Sequence, residues 1–182
     1  KEKNYLGEGI KLNANLTLSD IGIEGLFSTN IRNYKNSDKD LNTSFENSSV
    51  DQMSKFGYKT TKTGFSIGTS YEQFKDIYFS PSISNYYETM KTSSTASSTR
   101  KKQEGDYFDS SFDYSFVLNK LDQNFQPTDG YKSSFSQSLP LISNDYTIIN
   151  ALEYATYKSF NEDYIFGFNF LFKSANSING DD

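Results

Sequence analysis

The stretch Ile10-Lys11-Leu12-Asn13-Ala14-Asn15-Leu16-Thr17-Leu18-Ser19 alternates without a miss. Ile10, Leu12, Ala14, Leu16 and Leu18 are apolar, while Lys11, Asn13, Asn15, Thr17 and Ser19 are polar. A period of two puts the two sets on opposite faces of a β-strand, and no helical stripe at i, i+3, i+4, i+7 competes with it elsewhere in the chain.

Outward from this segment the alternation recurs. Ile21, Ile23, Phe27 and Ile31 follow a short turn at residues 19–22, with Leu26 out of phase. Leu41, Thr43 and Phe45 form a weaker third strand. Thr61 to Tyr71 forms a fourth, and Ile77, Phe79, Ile83 and Tyr87 a fifth that contains Pro81, a residue unable to donate to a ladder. The sixth sets Phe108, Phe112, Tyr114, Phe116 and Leu118 against Asp109, Ser111, Asp113, Ser115 and Asn119. The seventh sets Tyr131, Phe135 and Leu139 against Lys132, Ser134, Ser136 and Ser138. In the eighth, residues 146–157, both faces carry apolar groups. The ninth gathers Tyr164, Phe166, Phe168, Phe170 and Phe172 on one face. The expectation is an all-β chain of nine meandering antiparallel strands, most of about 10 residues.

Strands of that length suit a tilted crossing of a hydrocarbon layer about 30 Å thick and exceed the roughly 5 to 6 residues usual in soluble sheets. The polar face is mostly Ser, Asn, Thr and Gly, which suits a wet lumen better than a bulk-solvent surface rich in charge. Tyr5, Tyr58, Tyr71, Tyr87, Tyr107, Tyr131, Tyr146, Tyr157 and Tyr164 fall near strand ends, the level of an interfacial aromatic girdle. The fold class expected is therefore an antiparallel transmembrane β-barrel.

Composition agrees. A mean hydropathy of −0.69 is as low as that of many disordered chains. Yet 14 Tyr and 16 Phe must be buried or stacked, and disordered chains are poor in aromatics. One face in lipid and one in water reconciles the two. With no Cys and no His, thiolate and imidazole catalysis, Cys/His zinc sites and disulfides are excluded. The net charge of −5 argues against a nucleic-acid partner, which selects a basic face. No apolar run is long enough for a membrane helix. The N-terminus Lys1-Glu2-Lys3 lacks both an initiator Met and the apolar core of a signal peptide. A targeting signal is expected to have been removed or to lie outside this sequence.

Connections alternate in length: residues 73–76, 127–130 and 161–163 are short on one side, and 52–58 and 91–105 long on the other. The tight turn at Asp20 and the longer segment 33–39 fit this alternation badly. Residues 91–105, KTSSTASSTRKKQEG, have no apolar group beyond Ala96 and read as a mobile external loop. Within them Arg100-Lys101-Lys102 could touch anionic headgroups, although a solvated loop is the plainer reading.

Two further features carry little chemistry. Gly7-Glu8-Gly9 precedes a strand instead of following one, so it reads as a turn and not as a phosphate loop. Asp109 and Asp113 share a face roughly 13 Å apart, beyond the spacing of a glycosidase pair, and read as solvated lumen groups. No nucleophile and base come together, so no catalytic residue, cofactor or metal is expected.

Two strings are more specific. In Asn119-Lys120-Leu121-Asp122-Gln123-Asn124-Phe125-Gln126-Pro127-Thr128-Asp129-Gly130-Tyr131, Pro127 presets φ, Asp129 can bond nearby backbone, and Gly130 supplies φ > 0. The tetrapeptide Pro127-Thr128-Asp129-Gly130 is expected to close a tight hairpin. An aromatic strand ending in N-K-x-D, then F-x-P-T-D-G and a further alternating strand, resembles the C-terminal barrel of the bacterial surface antigen family, the relatives of the outer-membrane assembly factor BamA. Asn4-Tyr5-Leu6-Gly7-Glu8-Gly9 is similar to that family's N-x-L-G-x-G periplasmic turn, carried here by Asn4, Leu6, Gly7 and Gly9.

The resemblance covers nearly the whole chain and implies a sixteen-stranded barrel, of which residues 1–182 would be a partial barrel domain without a POTRA domain. At about 20 residues per strand and connection such a barrel needs roughly 320, so the chain is expected to be incomplete. By the same resemblance its whole protein would fold and insert β-barrel proteins into the cell outer membrane without enzymatic chemistry. Its partners would be outer-membrane lipid, nascent outer-membrane proteins and, through parts outside this sequence, assembly-complex lipoproteins. A two-partner secretion or translocation-and-assembly barrel, a passive porin or transporter, and a soluble β-sandwich adhesin remain the alternatives.

Overall fold

The computed structural model describes residues 2–5, 9–144, 146–161 and 164–178. Ten strands form one antiparallel sheet in strict chain order. They are β1 (Glu2–Tyr5), β2 (Ile10–Ser19), β3 (Gly22–Ile31), β4 (Asp40–Gln52), β5 (Tyr58–Phe74), β6 (Ile77–Thr92), β7 (Gly105–Asn119), β8 (Asp129–Ile142), β9 (Thr147–Ser159) and β10 (Ile165–Ser177). The nine long strands are those the alternation places. The short β1 pairs with β2 where the sequence suggests only a turn. Two short helices, α1 (Met53–Phe56) and α2 (Ser98–Lys102), lie in connections at one rim, and a 3₁₀ turn, Tyr34–Asn36, lies at the other.

The strands exceed the expected length: β4 has 13 residues, β5 17 and β6 16. At about 3.3 Å per residue β5 runs roughly 55 Å, more than a hydrocarbon layer requires even with tilt. The extra length comes from segments polar on both faces, such as Asn47-Ser48-Ser49 in β4, whose pairing continues past the apolar band. Pro81 is accommodated inside β6. Its ladder with β7 holds at Pro81↔Tyr114, while the ladder with β5 skips from Gly68↔Ser82 to Tyr71↔Phe79. The hydroxyls of Ser70 and Ser80, 2.8 Å apart, bridge the gap.

Register resolves the two faces across the whole sheet. Ala14, Phe27, Phe45 and Phe65 lie directly opposite one another through β2 to β5. One residue away, Asn13, Ser28, Ser44, Ser66, Ser84 and Ser111 form a row of the other face from β2 to β7. Cavities of about 610 and 370 Å³ open on the serine face, so the sheet curls towards it. Leu26, out of phase in the sequence, lies on this concave face opposite Asn15 and Glu46. The eighth strand's register is settled as well: Leu152 and Tyr154 share the convex face with Phe172 and Phe170, and Ile149, Ala151 and Glu153 face inward.

Among the described residues no second layer covers the apolar side. Among the described residues only Met90 and Ala96 are buried apolar groups, whereas Leu16, Phe27, Phe45, Phe65, Phe168 and Phe172 stand exposed along the convex face. A soluble sheet buries its apolar face against another layer. This sheet leaves a continuous one free, and lipid is the medium that suits it.

Candidate functional site

Among the described residues no catalytic cluster is assembled, and the candidate surfaces are the polar concave wall and the two rims that end it. At one rim Lys120–Tyr131 does not close as a tight hairpin. β7 ends at Asn119 and β8 starts at Asp129, so the connection spans residues 120–128 and Asp129 and Gly130 already belong to the strand. The Asp122 carboxylate organises this longer loop. It accepts from the Thr128 hydroxyl at 2.5 Å, from Thr128 N at 3.0 Å and from Gln123 N at 2.9 Å. Those donors, led by the Thr128 hydroxyl, hold its pKa below the ordinary carboxylate value.

Pro127 and Thr128 close the loop. Asp129 accepts from Gly130 N at 2.7 Å and from Lys158 Nζ at 2.8 Å. Gly130 has φ +99, and a Cβ there would sit 2.1 Å from Lys120 O, so both conformation and space require glycine. Lys120 forms an ion pair with Asp76 in the neighbouring β5–β6 turn. That partner raises the pKa of Lys120 and lowers that of Asp76. Adjacent turns of the rim are thus tied by charge.

The second motif is only partly visible. Asn4 lies in β1 and Gly9 takes φ +73 in the turn entering β2, whereas Leu6 and Gly7 lie outside the described residues.

The concave wall is a hydroxyl-rich surface around one carboxylate. Asp113 accepts from Ser84 at 2.8 Å, Ser111 at 3.0 Å and Ser138 at 2.5 Å, drawing together β6, β7 and β8. Asp109, on the same face, accepts from Ser143 at 2.5 Å. Both sequence-marked carboxylates are therefore hydrogen-bonded wall groups, each held by serines. Sequence reasoning missed a neighbouring cluster: Lys62 pairs with Glu46 at 3.5 Å and lies 4.0 Å from the centroid of the Tyr86 ring. Tyr86 packs over Gly64, where a Cβ would meet the ring at 2.4 Å. The signal for it was the glycine opposite a tyrosine, readable only once register is known.

Six of the tyrosines expected near strand ends, all within strands, do not share one girdle. Tyr71, Tyr87 and Tyr131 face outward with the apolar rows, but Tyr58, Tyr107 and Tyr157 fall on the concave side. Their offset from strand ends is right, while their parity differs by one residue.

The other rim departs most from expectation. Residues 93–104 are not the structureless loop their composition suggests. α2 is capped by Ser97, whose Oγ accepts from Arg100 N at 3.3 Å. Ala96 is buried, and Lys101 Nζ donates to Ser94 O at 2.8 Å. Arg100 lies 4.6 Å from the Tyr58 ring centroid, a cation–π contact that brings it onto the wall. Arg100, Lys102 and Gln103 line the 610 Å³ cavity together with Glu88, Tyr107 and Asp109. The connection folds over the concave side.

Comparison with known families and structures bears on what this wall belongs to. Residues 4–180 match the Omp85 superfamily domain. The chain belongs to the Omp85 superfamily. No curated protein matches it in sequence. Among solved structures it is similar in fold to BamA from Haemophilus ducreyi lacking POTRA domains 1-3, with a TM-score of 0.79 at 16% identity over 98% of this chain and 38% of that one. The chain thus spans well under half the length of that structure. An Omp85 barrel wall accounts for the single curled sheet, its apolar outer face and its polar inner face.

Proposed function

We propose that this chain is part of the barrel wall of an outer-membrane assembly factor, which inserts β-barrel proteins into the outer membrane without catalytic chemistry. The observation that carries the reading is the Omp85 match across residues 4–180, on a sheet whose outward face is apolar and uncovered. Insertion of this kind uses strand-edge hydrogen bonding: a weakly paired seam opens and templates the client's strands. The ten strands in uninterrupted order form firm wall beside such a seam, with the rim of residues 120–128 towards the periplasm and the rim bearing α1 and α2 towards the cell surface. Nascent outer-membrane proteins would be the clients, and accessory lipoproteins would bind parts of the protein outside this wall.

The test uses the full-length protein reconstituted into phospholipid vesicles and given a urea-unfolded barrel client. Folding is followed by the heat-modifiable gel mobility of the client. The expected result is faster client folding than in empty vesicles or in vesicles holding an inert porin. Equal rates, together with steady solute conductance through the protein, would identify a passive pore and overturn the proposal.

A further inference from the structure

The rim bearing α1 and α2 contains a pocket that the insertion reading does not use. Two connections build it, residues 53–57 and 93–104, and they are stitched together. Ser93 N donates to Gly57 O at 2.7 Å. Gly57 has φ +72, and a Cβ there would lie 2.6 Å from both Ala96 N and Thr95 Oγ1. The Arg100 guanidinium sits over Tyr58. Between the two connections lies a cavity of about 460 Å³ lined by Lys55, Phe56, Tyr58, Thr95, Ser97 and Arg100.

The charge of that lining is one-sided. It holds two cations and no carboxylate, and Lys101 and Lys102 follow at once on α2, in a chain of net charge −5. Of the nearby acids, Asp51 pairs with Lys59 at 3.1 Å and accepts from Met53 N, Glu104 accepts from the Thr92 hydroxyl at 2.8 Å, and Asp109 accepts from Ser143 at 2.5 Å, while Glu88 stands with Asp109 in the adjoining 610 Å³ cavity, outside this lining. Among the described residues no ion pair joins a carboxylate to Lys55, Arg100, Lys101 or Lys102. Arg100 spends one Nη1 contact, 3.3 Å long, on Gln103. The rest of its fork remains for a ligand, with the geometry that suits phosphate.

The other lining groups narrow the ligand further. Thr95, Ser97 and Tyr58 supply hydroxyls that can bond sugar oxygens. Phe56, 61% exposed, presents a bare ring at the rim, suited to the C–H face of a sugar or to an acyl-chain boundary. The volume lies within the roughly 300–1,000 Å³ typical of small-ligand sites. We infer that this rim pocket binds a phosphate-bearing carbohydrate, as a glycolipid headgroup in the facing leaflet or as a free sugar phosphate. Lys55 and Arg100 hold the phosphate, and Phe56 and the hydroxyls hold the sugar. The membrane source rests on the rim orientation proposed above; the pocket chemistry does not.

Isothermal titration of the full-length protein in detergent tests it with diphosphoryl lipid A, the same lipid enzymatically dephosphorylated, and glucosamine 6-phosphate. Saturable binding of the phosphorylated lipid, weakened by salt and about tenfold by Lys55→Gln or Arg100→Gln, is expected. Lys55→Arg should retain binding, and Lys11→Gln, on the wall away from this rim, should not alter it. Because Arg100 also stacks on Tyr58, heat-modifiable mobility must confirm that the Arg100→Gln variant is folded; Lys55 makes no such contact and carries the test if it is not. Tight binding of glucosamine 6-phosphate assigns the site to free sugar phosphates, and binding of the lipid alone assigns it to the membrane. Equal binding of the phosphorylated and dephosphorylated lipids, or Lys55→Gln binding like wild type, overturns the inference. None of these readouts involves client folding, so failure here leaves the insertion proposal to its own test.

Discussion

Replacing Phe45 separates the two faces of the wall energetically. Phe45 lies in β4 between Phe27 and Phe65 on the convex face and is 48% exposed. A phenylalanine side chain offers about 200 Å², so roughly 100 Å² of this ring meets the surrounding medium. At about 25 cal/mol/Å², Phe45→Ala costs about 2.5 kcal/mol if that medium is hydrocarbon. Phe45→Arg adds about 2–4 kcal/mol for a cation near mid-bilayer. The adjacent Ser44 points the other way, its hydroxyl 2.7 Å from that of Ser66. Ser44→Arg enters a wet surface and loses one hydrogen bond, a cost of about 0.5–1.5 kcal/mol. Urea titration of the full-length protein in phospholipid vesicles, read by heat-modifiable mobility, measures all three. The order Phe45→Arg, Phe45→Ala, Ser44→Arg from most to least destabilised is expected. Equal costs for the two arginine variants would refute the face assignment, and Ser44→Arg as the costlier would invert it.

Three other outcomes are expected. Asp122 has a native pKa below its ordinary value, so its contribution is present above the unfolded-state pKa and lost as pH falls through the native one. The melting temperature in detergent should therefore drop as pH falls below about 4, and Asp122→Asn should be less stable at neutral pH and show a smaller drop; an identical acid drop in both proteins counts against the role given to this carboxylate. Gly130→Ala must place a Cβ 2.1 Å from Lys120 O at φ +99, whereas Gly9→Ala at φ +73 meets nothing within 4 Å. Gly9→Ala should cost about 1–2 kcal/mol of backbone strain and Gly130→Ala clearly more by the same urea titration; equal losses would mean that the loop yields. In an Ala96→Cys variant the thiol, at a position now buried, should react slowly with an aqueous maleimide, and adding Arg100→Gln should raise the rate several-fold by releasing α2 from Tyr58; fast labelling without the second change would show that the connection does not stay seated.

The strands were legible because their signal is local. A period of two needs no knowledge of neighbours, and Ile10 to Leu18 or Phe166 to Phe172 declares a face on its own. Strand ends were less legible: where a strand leaves the apolar band, as at Asn47-Ser48-Ser49, pairing continues without the alternation that marks it. The connections were misread for a related reason. Ser, Thr and Lys in residues 91–105 have the composition of a mobile loop, but hydroxyls and short side chains also cap helices and fit beneath a neighbouring turn. Here the fixed points are Ala96, Gly57 and the Tyr58 ring, two of them more than thirty residues away in sequence. The Pro127-Thr128-Asp129-Gly130 string foretold the positive φ of Gly130 but not the loop length, which Asp122 sets from outside the tetrapeptide.

Register carries information that alternation cannot, and the convex face shows what kind. That face is not wholly apolar. Its polar groups meet one another across strands: Thr29 with Thr43 at 2.7 Å and Tyr114 with Gln137 at 2.7 Å. Gln137 continues to Asn150 at 2.6 Å and Asn150 to Ser174 at 3.3 Å, a ladder across β7 to β10 between rows of Phe and Leu. In hydrocarbon an amide without a partner costs several kcal/mol, and water cannot supply one. The side chains can stand there because the residue directly opposite satisfies them. The concave face is under no such constraint, yet Ser44 meets Ser66 and Asn30 meets Asn42 there as well. Pairing of polar groups is therefore a property of register on both faces. Only on the convex one does breaking it leave a group with nowhere to turn. Gln137→Ala should thus orphan Asn150 Oδ1 and the Tyr114 hydroxyl, and by the same urea titration destabilise the wall more than Asn42→Ala, whose partner Asn30 can turn to lumen water.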